Sequence, residues 1–352
     1  MRYLCWRMAI AVMAIGDALL FSGCESARYY SQAIHGQVEI LAKARPIDRV
    51  VDDERLSGKV RNKLAVVQDV RRFAAEELGL PSRHEFNRYT DLRRRYVSWV
   101  VFAAPEFSVE GKLWWYPVVG RLEYRGFFSE KAARDEAARC KAQGYEVYVG
   151  GVEAYSTLGW FRDPVLNTFF ARTDPELAEL VFHELTHVKL FLPGDTDFNE
   201  AFAQTTAEEG VRRWLQSKGD RARLAAYEAS LAKDREIIRL LLATRERLAR
   251  LYGRKGVGVA QMRREKAAVF QRMREQYQVI RQRWHGDSRY DRAFAKPWNN
   301  ARLNSVATYY DLMPGFERIL QWERGDLNAY FEDVARMGRL GKKERATMLR
   351  AR

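Results

Sequence analysis

Five histidines occur in the 352 residues of this chain. Two of them, His183 and His187, stand four apart in the run His183-Glu184-Leu185-Thr186-His187. On a helix, residues four apart share a face, so both imidazoles reach one ion. Glu184 sits at the edge of that face, where its carboxylate holds a water on the metal. The chemistry expected is metal-assisted hydrolysis. Zinc polarises a carbonyl and lowers the pKa of its water, and Glu184 takes that water's proton. Leu177, Leu180, Val181, Leu185 and Val188 make the segment strongly apolar. A polar trio partly buried on such a helix requires partners or a purpose.

A catalytic zinc site takes a third protein ligand and leaves one position open. His35, His84 and His285 are remote in sequence and lack supporting spacing. Glu200, in Phe198-Asn199-Glu200-Ala201-Phe202-Ala203, is better placed. From His187 a helix advances about 7.5 Å to Leu192, Pro193-Gly194 reverses the chain, and a second helix returns about 4.5 Å by Glu200. Glu200 then stands level with the histidines on a neighbouring helix about 8–10 Å away. Glu208 and Glu209 lie two turns further on and are alternative ligands. The set implies one Zn2+ per chain. Tyr309 and Tyr310 are candidate donors to the oxyanion that forms on a carbonyl under attack. Tyr155, Ser156, Thr157, Leu158 and Gly159 are a candidate edge that pairs with substrate main chain.

Around these residues the pattern is first mixed and then helical. A helix is expected over 61–80, strands over 96–104 and 118–124, a helix over 129–143 and a strand over Tyr145–Val152. The site helices are expected over 175–191 and 197–216. Two long helices, 222–251 and 261–284, flank the glycine-rich turn 253–258 and form an antiparallel hairpin. Its stripe Phe270, Met273, Tyr277, Ile280 and Trp284 reads as a core seam. Helices over 309–320 and 327–349 follow. The fold class is α+β and mostly helical: a small mixed sheet, a zincin-like helical active-site region, and the hairpin.

The first residues read as an address. Arg2 and Arg7 precede an apolar run from Met8 to Phe21, too short to span a bilayer, and Ser22-Gly23-Cys24 follows. This resembles a bacterial lipoprotein signal, with Cys24 acylated at a new N-terminus. Glu25 after the cysteine favours the outer membrane, and the protein is expected at its periplasmic face. Boundaries follow at 1–23 (signal peptide), 24–216 (peptidase core), 217–290 (hairpin) and 291–352 (C-terminal helices packing back on the core). Three cysteines and no CxxC pair exclude a disulfide framework and a thiolate zinc site. The formal charge is +14. Residues 212–285 hold 20 lysines and arginines against 7 acids, an excess of 13. That charge reads as a solvated coiled-coil face or an attraction to anionic lipid headgroups. No recognised binding motif accompanies it, so no nucleic-acid partner is expected.

The HELTH and NEAFA runs together resemble the gluzincin metallopeptidases. Ser22-Gly23-Cys24, Tyr29-Tyr30, Ala103-Ala104-Pro105-Glu106-Phe107-Ser108, Tyr124-Arg125-Gly126-Phe127-Phe128 and the stretches 154–168 and 194–210 are similar to a family of bacterial proteins described as predicted aminopeptidases. The resemblance implies zinc on His183, His187 and Glu200, Glu184 as general base, and peptide substrates. Asn199 and Gln204 would then be outer partners of the ligands. Gln204 stands where thermolysin-like enzymes place an aspartate that orients the first histidine, and its amide oxygen can accept an imidazole N–H. No GAMEN-like segment is present, so a peptidase follows from the residues and an aminopeptidase from the resemblance. A second reading is a non-catalytic, metal-stabilised envelope lipoprotein that acts as a scaffold or docks lipid through its basic hairpin. The sequence leaves the oligomeric state open.

Overall fold

Side-chain caps and glycines set where the elements begin and end. A computed structural model describes residues 24–54, 56–82, 85–116, 120–153, 163–310 and 312–351, without the side chains of 24–27 and 307–310. Helix Cys24–Ala42, not anticipated from the sequence, comes first. Helix Gly58–Glu76 starts where Ser57 Oγ accepts from the Val60 N–H, and it buries Leu64, Val67, Val70 and Ala74. Helix Glu130–Ala142 is capped by Ser129 in the same way, and Gly144, at φ +86°, lets the chain turn out of it.

Among the described residues the sheet content comes in three small pieces rather than one. In the main sheet, Ser98–Pro105 is the centre and pairs antiparallel with Tyr124–Phe127 on one side and Tyr145–Val152 on the other. Helix Glu130–Ala142 joins the two outer strands and buries Ala133 and Ala137 with Val101 and Phe127. The strand expected over 118–124 divides. Gly120–Leu122 pairs with Trp114–Tyr116 as a separate ribbon, and Tyr124 onward joins the main sheet. A third, mixed sheet joins Arg45–Pro46, Arg88–Thr90 and Val165–Leu166.

The remaining chain is helical. The histidine helix is Asp174–Lys189 and the glutamate helix Thr196–Ser217. The hairpin is Arg221–Tyr252 with Val259–Arg283. Its expected seam is core: Phe270, Met273, Tyr277 and Ile280 are buried with Leu240, Leu241 and Leu248. The two C-terminal helices expected from periodicity are four. A helix over Asn300–Tyr310 stops, and Met313–Trp322 starts with Pro314 in its first turn. Proline has no N–H for a preceding carbonyl, so only a first turn accepts it. Likewise 327–349 breaks into Leu327–Met337 and Lys342–Ala351 around Gly338 and Gly341, residues that cost most inside a helix. Behind the glutamate helix, Phe198 meets Phe316 at 5.0 Å between centroids and Phe202 meets Tyr330 at 5.9 Å. The described residues form a mostly helical α+β fold, 64% helical.

Gly315 shows how tightly the C-terminal helices close. A Cβ there would meet the backbone of Leu349, with its Cα at 2.8 Å. Gly315→Ala should therefore lower stability by about 1–3 kcal/mol. Gly58→Ala, which opens onto free space, should change it by about 0.5 kcal/mol or less. Urea denaturation midpoints of the two variants check this.

Candidate metal centre

Both site helices are fixed at their ends before any ligand is considered. The histidine helix opens with a capping box. Thr173 N–H donates to Glu176 Oε2 at 2.8 Å, Glu176 N–H donates to Thr173 Oγ1, and Pro175 occupies the first turn. Lys63 Nζ, from the neighbouring helix, donates to the Arg172 carbonyl at 2.6 Å and to Asp174 at 2.7 Å. At the far end the chain reverses through Gly194, whose φ of +78° favours glycine. Asn199 locks this turn: its Oδ1 accepts from Leu192 N–H and its Nδ2 donates to Leu192 O, both at 2.8 Å. Asp195, 3% exposed, accepts from Arg345 Nη2 at 2.7 Å and Nε at 3.0 Å, from the last helix of the chain. Along their length the helices run close together. A Cβ on Gly210 would stand 2.8 Å from the Phe182 ring.

This packing brings three donors to one point. His183 Nε2 lies 3.2 Å from Glu200 Oε2 and 3.1 Å from His187 Nε2, and His187 Nε2 lies 3.7 Å from the same carboxylate oxygen. The imidazole planes are nearly perpendicular, at 85°. His187 is buried and its Nδ1 has no hydrogen-bond partner among the described residues. Burial disfavours charge on His183, but the hydrogen bond and charge of Glu200, with Glu184 and Glu179, raise its pKa above the ordinary value. Burial likewise works against ionised Glu200, and His187 and His183 overcome it, holding the carboxyl well below the usual range. Two imidazole nitrogens and a carboxylate oxygen, all aimed at one small volume, are a donor set that fits zinc. Glu184, next to His183 in the chain, is 9% exposed and has no hydrogen bond or ion pair among the described residues.

The other expected residues fall elsewhere. Glu208 is buried against Arg235 at 2.7 Å and Arg212 at 3.3 Å, and Glu209 is bound to Arg213 at 2.8 Å. Gln204 turns its amide nitrogen to Glu179 at 2.8 Å and to Glu208 at 3.4 Å. Asn199 acts on the turn rather than on an imidazole. Tyr309 and Tyr310 end a helix that packs on the glutamate helix, and their side chains lie outside the described ones. Tyr155, Ser156, Thr157, Leu158 and Gly159 lie outside the described residues, as do His84 and the segment before Cys24. Glu179, whose place one turn before His183 is legible, is not anticipated from the sequence, and neither are Tyr227 and Arg345, which no spacing connects to the site.

Burial and the nearby Glu179 push the Glu208 carboxyl from 4.5 up to about 7, against Arg235 and Arg212. The native state then holds this proton more tightly than the unfolded chain, so Glu208 contributes a loss of stability as pH rises from about 4.5 to about 7. Glu208→Gln should remove that slope, worth up to about 3 kcal/mol. Denaturation midpoints at pH 5 and pH 7.5 measure it.

A protein family described as "Putative aminopeptidase" matches residues 28–349. No curated protein and no solved structure matches the chain. The family match runs from the first helix through both site helices and the hairpin to the last helix, and by it the chain belongs to the putative aminopeptidase family.

Proposed function

We propose that the protein is a zinc-dependent aminopeptidase that cuts peptide bonds at the His183–His187–Glu200 centre. One observation carries the reading: three metal-type donors converge at His183, whose chain neighbour Glu184 has no ion pair among the described residues, in a chain whose family is described as "Putative aminopeptidase". Zinc held there supplies Lewis acidity toward the peptide carbonyl and toward water. His183 and His187 would hold the ion through Nε2, and Glu200 would add a negatively charged oxygen ligand. The Glu184 carboxylate takes a proton from the attacking water. It returns that proton to the departing amine nitrogen as the C–N bond breaks, so no net proton is consumed at the carboxylate. Burial of the cluster keeps bulk water from competing for these positions.

The N-terminal segment supports a second element of the proposal: cleavage before Cys24 and acylation of that cysteine at the periplasmic face of the outer membrane. Among the described residues no helix is long and apolar enough to cross a membrane, so attachment would rest on the acyl chains. Cys24→Ala should move the protein from the membrane fraction to the soluble one.

Glu184→Gln should retain one zinc and the fold while lowering kcat by about 10²–10⁴-fold. Peptides with a free α-amine and their N-acetylated counterparts serve as substrates, with zinc measured by elemental analysis. Equal turnover by Glu184→Gln and wild type would rule out this base. Equal turnover of blocked and free peptides would leave a peptidase but not an aminopeptidase.

A further inference from the structure

Within the polar cluster behind the centre, one carboxylate differs from its neighbours. Glu208 faces Arg235 and Arg212, Glu209 faces Arg213, Glu228 accepts from Arg212 at 2.6 Å, and Glu317 from Arg235 at 2.6 Å. Glu179 has no ion pair among the described residues. Its oxygens accept from two neutral donors, Tyr227 Oη at 2.7 Å and Gln204 Nε2 at 2.8 Å. Burial, with the charge of Glu179 beside it, raises the Tyr227 phenol, so the hydroxyl stays a donor. A partly buried carboxylate without a cation is unfavourable unless a positive charge arrives nearby.

Its position says which charge. Glu179 lies one turn before His183 on the histidine helix, and Gln204 one turn after Glu200 on the glutamate helix. In this antiparallel pair the Glu179–Gln204 contact is therefore the next rung beside the His183–Glu200 contact. Tyr227, from the first hairpin helix, fixes the end of that rung.

We propose that Glu179, held by Gln204 and Tyr227, is the positioning carboxylate of the metal centre: it stands one turn from His183 with no ion pair among the described residues and holds the two ligand helices in register. The inference rests on the zinc reading above. It gives the hairpin a part in metal binding through Tyr227, and Gln204, expected to accept from the first histidine, instead donates to Glu179. Outer partners of metal ligands change affinity by about 10–100-fold when removed.

The test uses the full chain and reads zinc affinity by competition with a chromophoric chelator, and ligand geometry by the visible spectrum of the cobalt-loaded protein. Glu179→Gln should weaken zinc binding by about 10–100-fold and alter the cobalt spectrum while the metal-free denaturation midpoint does not fall. Glu179→Asp should recover part of the affinity. Tyr227→Phe should weaken binding in the same direction by less, and it decides the matter alone if Glu179→Gln does not fold. Glu209→Gln, on the same helix but bound to Arg213, should bind zinc like wild type. Wild-type affinity and an unaltered cobalt spectrum in Glu179→Gln and Tyr227→Phe would overturn the proposal. Failure of the wild-type chain to bind zinc overturns the underlying metal reading instead, and is seen before any variant is made.

Discussion

The contact between His183 and Glu200 is the constraint that the rest of the structure has to meet. It joins two antiparallel helices at a single rung, and its 3.2 Å separation tolerates little sliding. A shift of one residue along either helix moves a side chain about 1.5 Å in height and about 100° around the axis, enough to separate the carboxylate from the imidazoles. The register of these helices must therefore be fixed independently of the ligands, because three clustered polar groups in a largely apolar interior do not favour their own assembly.

That register is set from several directions. The capping box and Lys63 fix where the histidine helix begins. Asn199, Gly194 and Arg345 fix the reversal. Phe182 against the bare backbone of Gly210 fixes how closely the helices approach, and the ring cluster of Phe198, Phe202, Phe316 and Tyr330 fills the space behind. The hairpin takes part as well. Much of its positive charge, prominent in the sequence, is exposed, and part of it is paired with acids. Arg263 pairs with Glu106, Lys266 with Glu146, Arg235 with Glu208 and Glu317, and Lys233 with Asp287. Glu106, Glu146, Glu208 and Glu317 lie outside the hairpin, so these pairs help fasten it to the rest of the chain.

What was legible in the sequence is what short-range periodicity encodes. The His183–His187 spacing, the Pro193-Gly194 break and the distance to Glu200 are all local, and simple helix geometry places the three residues together. The helix Glu130–Ala142 and the strand Tyr145–Val152 were equally plain, because a serine cap and a glycine stop bound the helix. The C-terminal helices were misjudged for the complementary reason. Their apolar spacing continues across Pro314 and Gly338, and the backbone chemistry of those residues overrides it. Gln204 was placed correctly on its helix, but which group its amide meets depends on Glu179 and Tyr227, 25 and 23 residues away. Asp195 and Arg345 are separated by 150 residues; no local pattern links such a pair.

The most direct test of the account is X-ray absorption at the zinc edge on the purified full-length chain. The account predicts one zinc per chain, bound by two imidazole nitrogens and a carboxylate oxygen at about 2.0–2.2 Å. A chain without zinc, or a zinc with sulfur at about 2.3 Å, would contradict it.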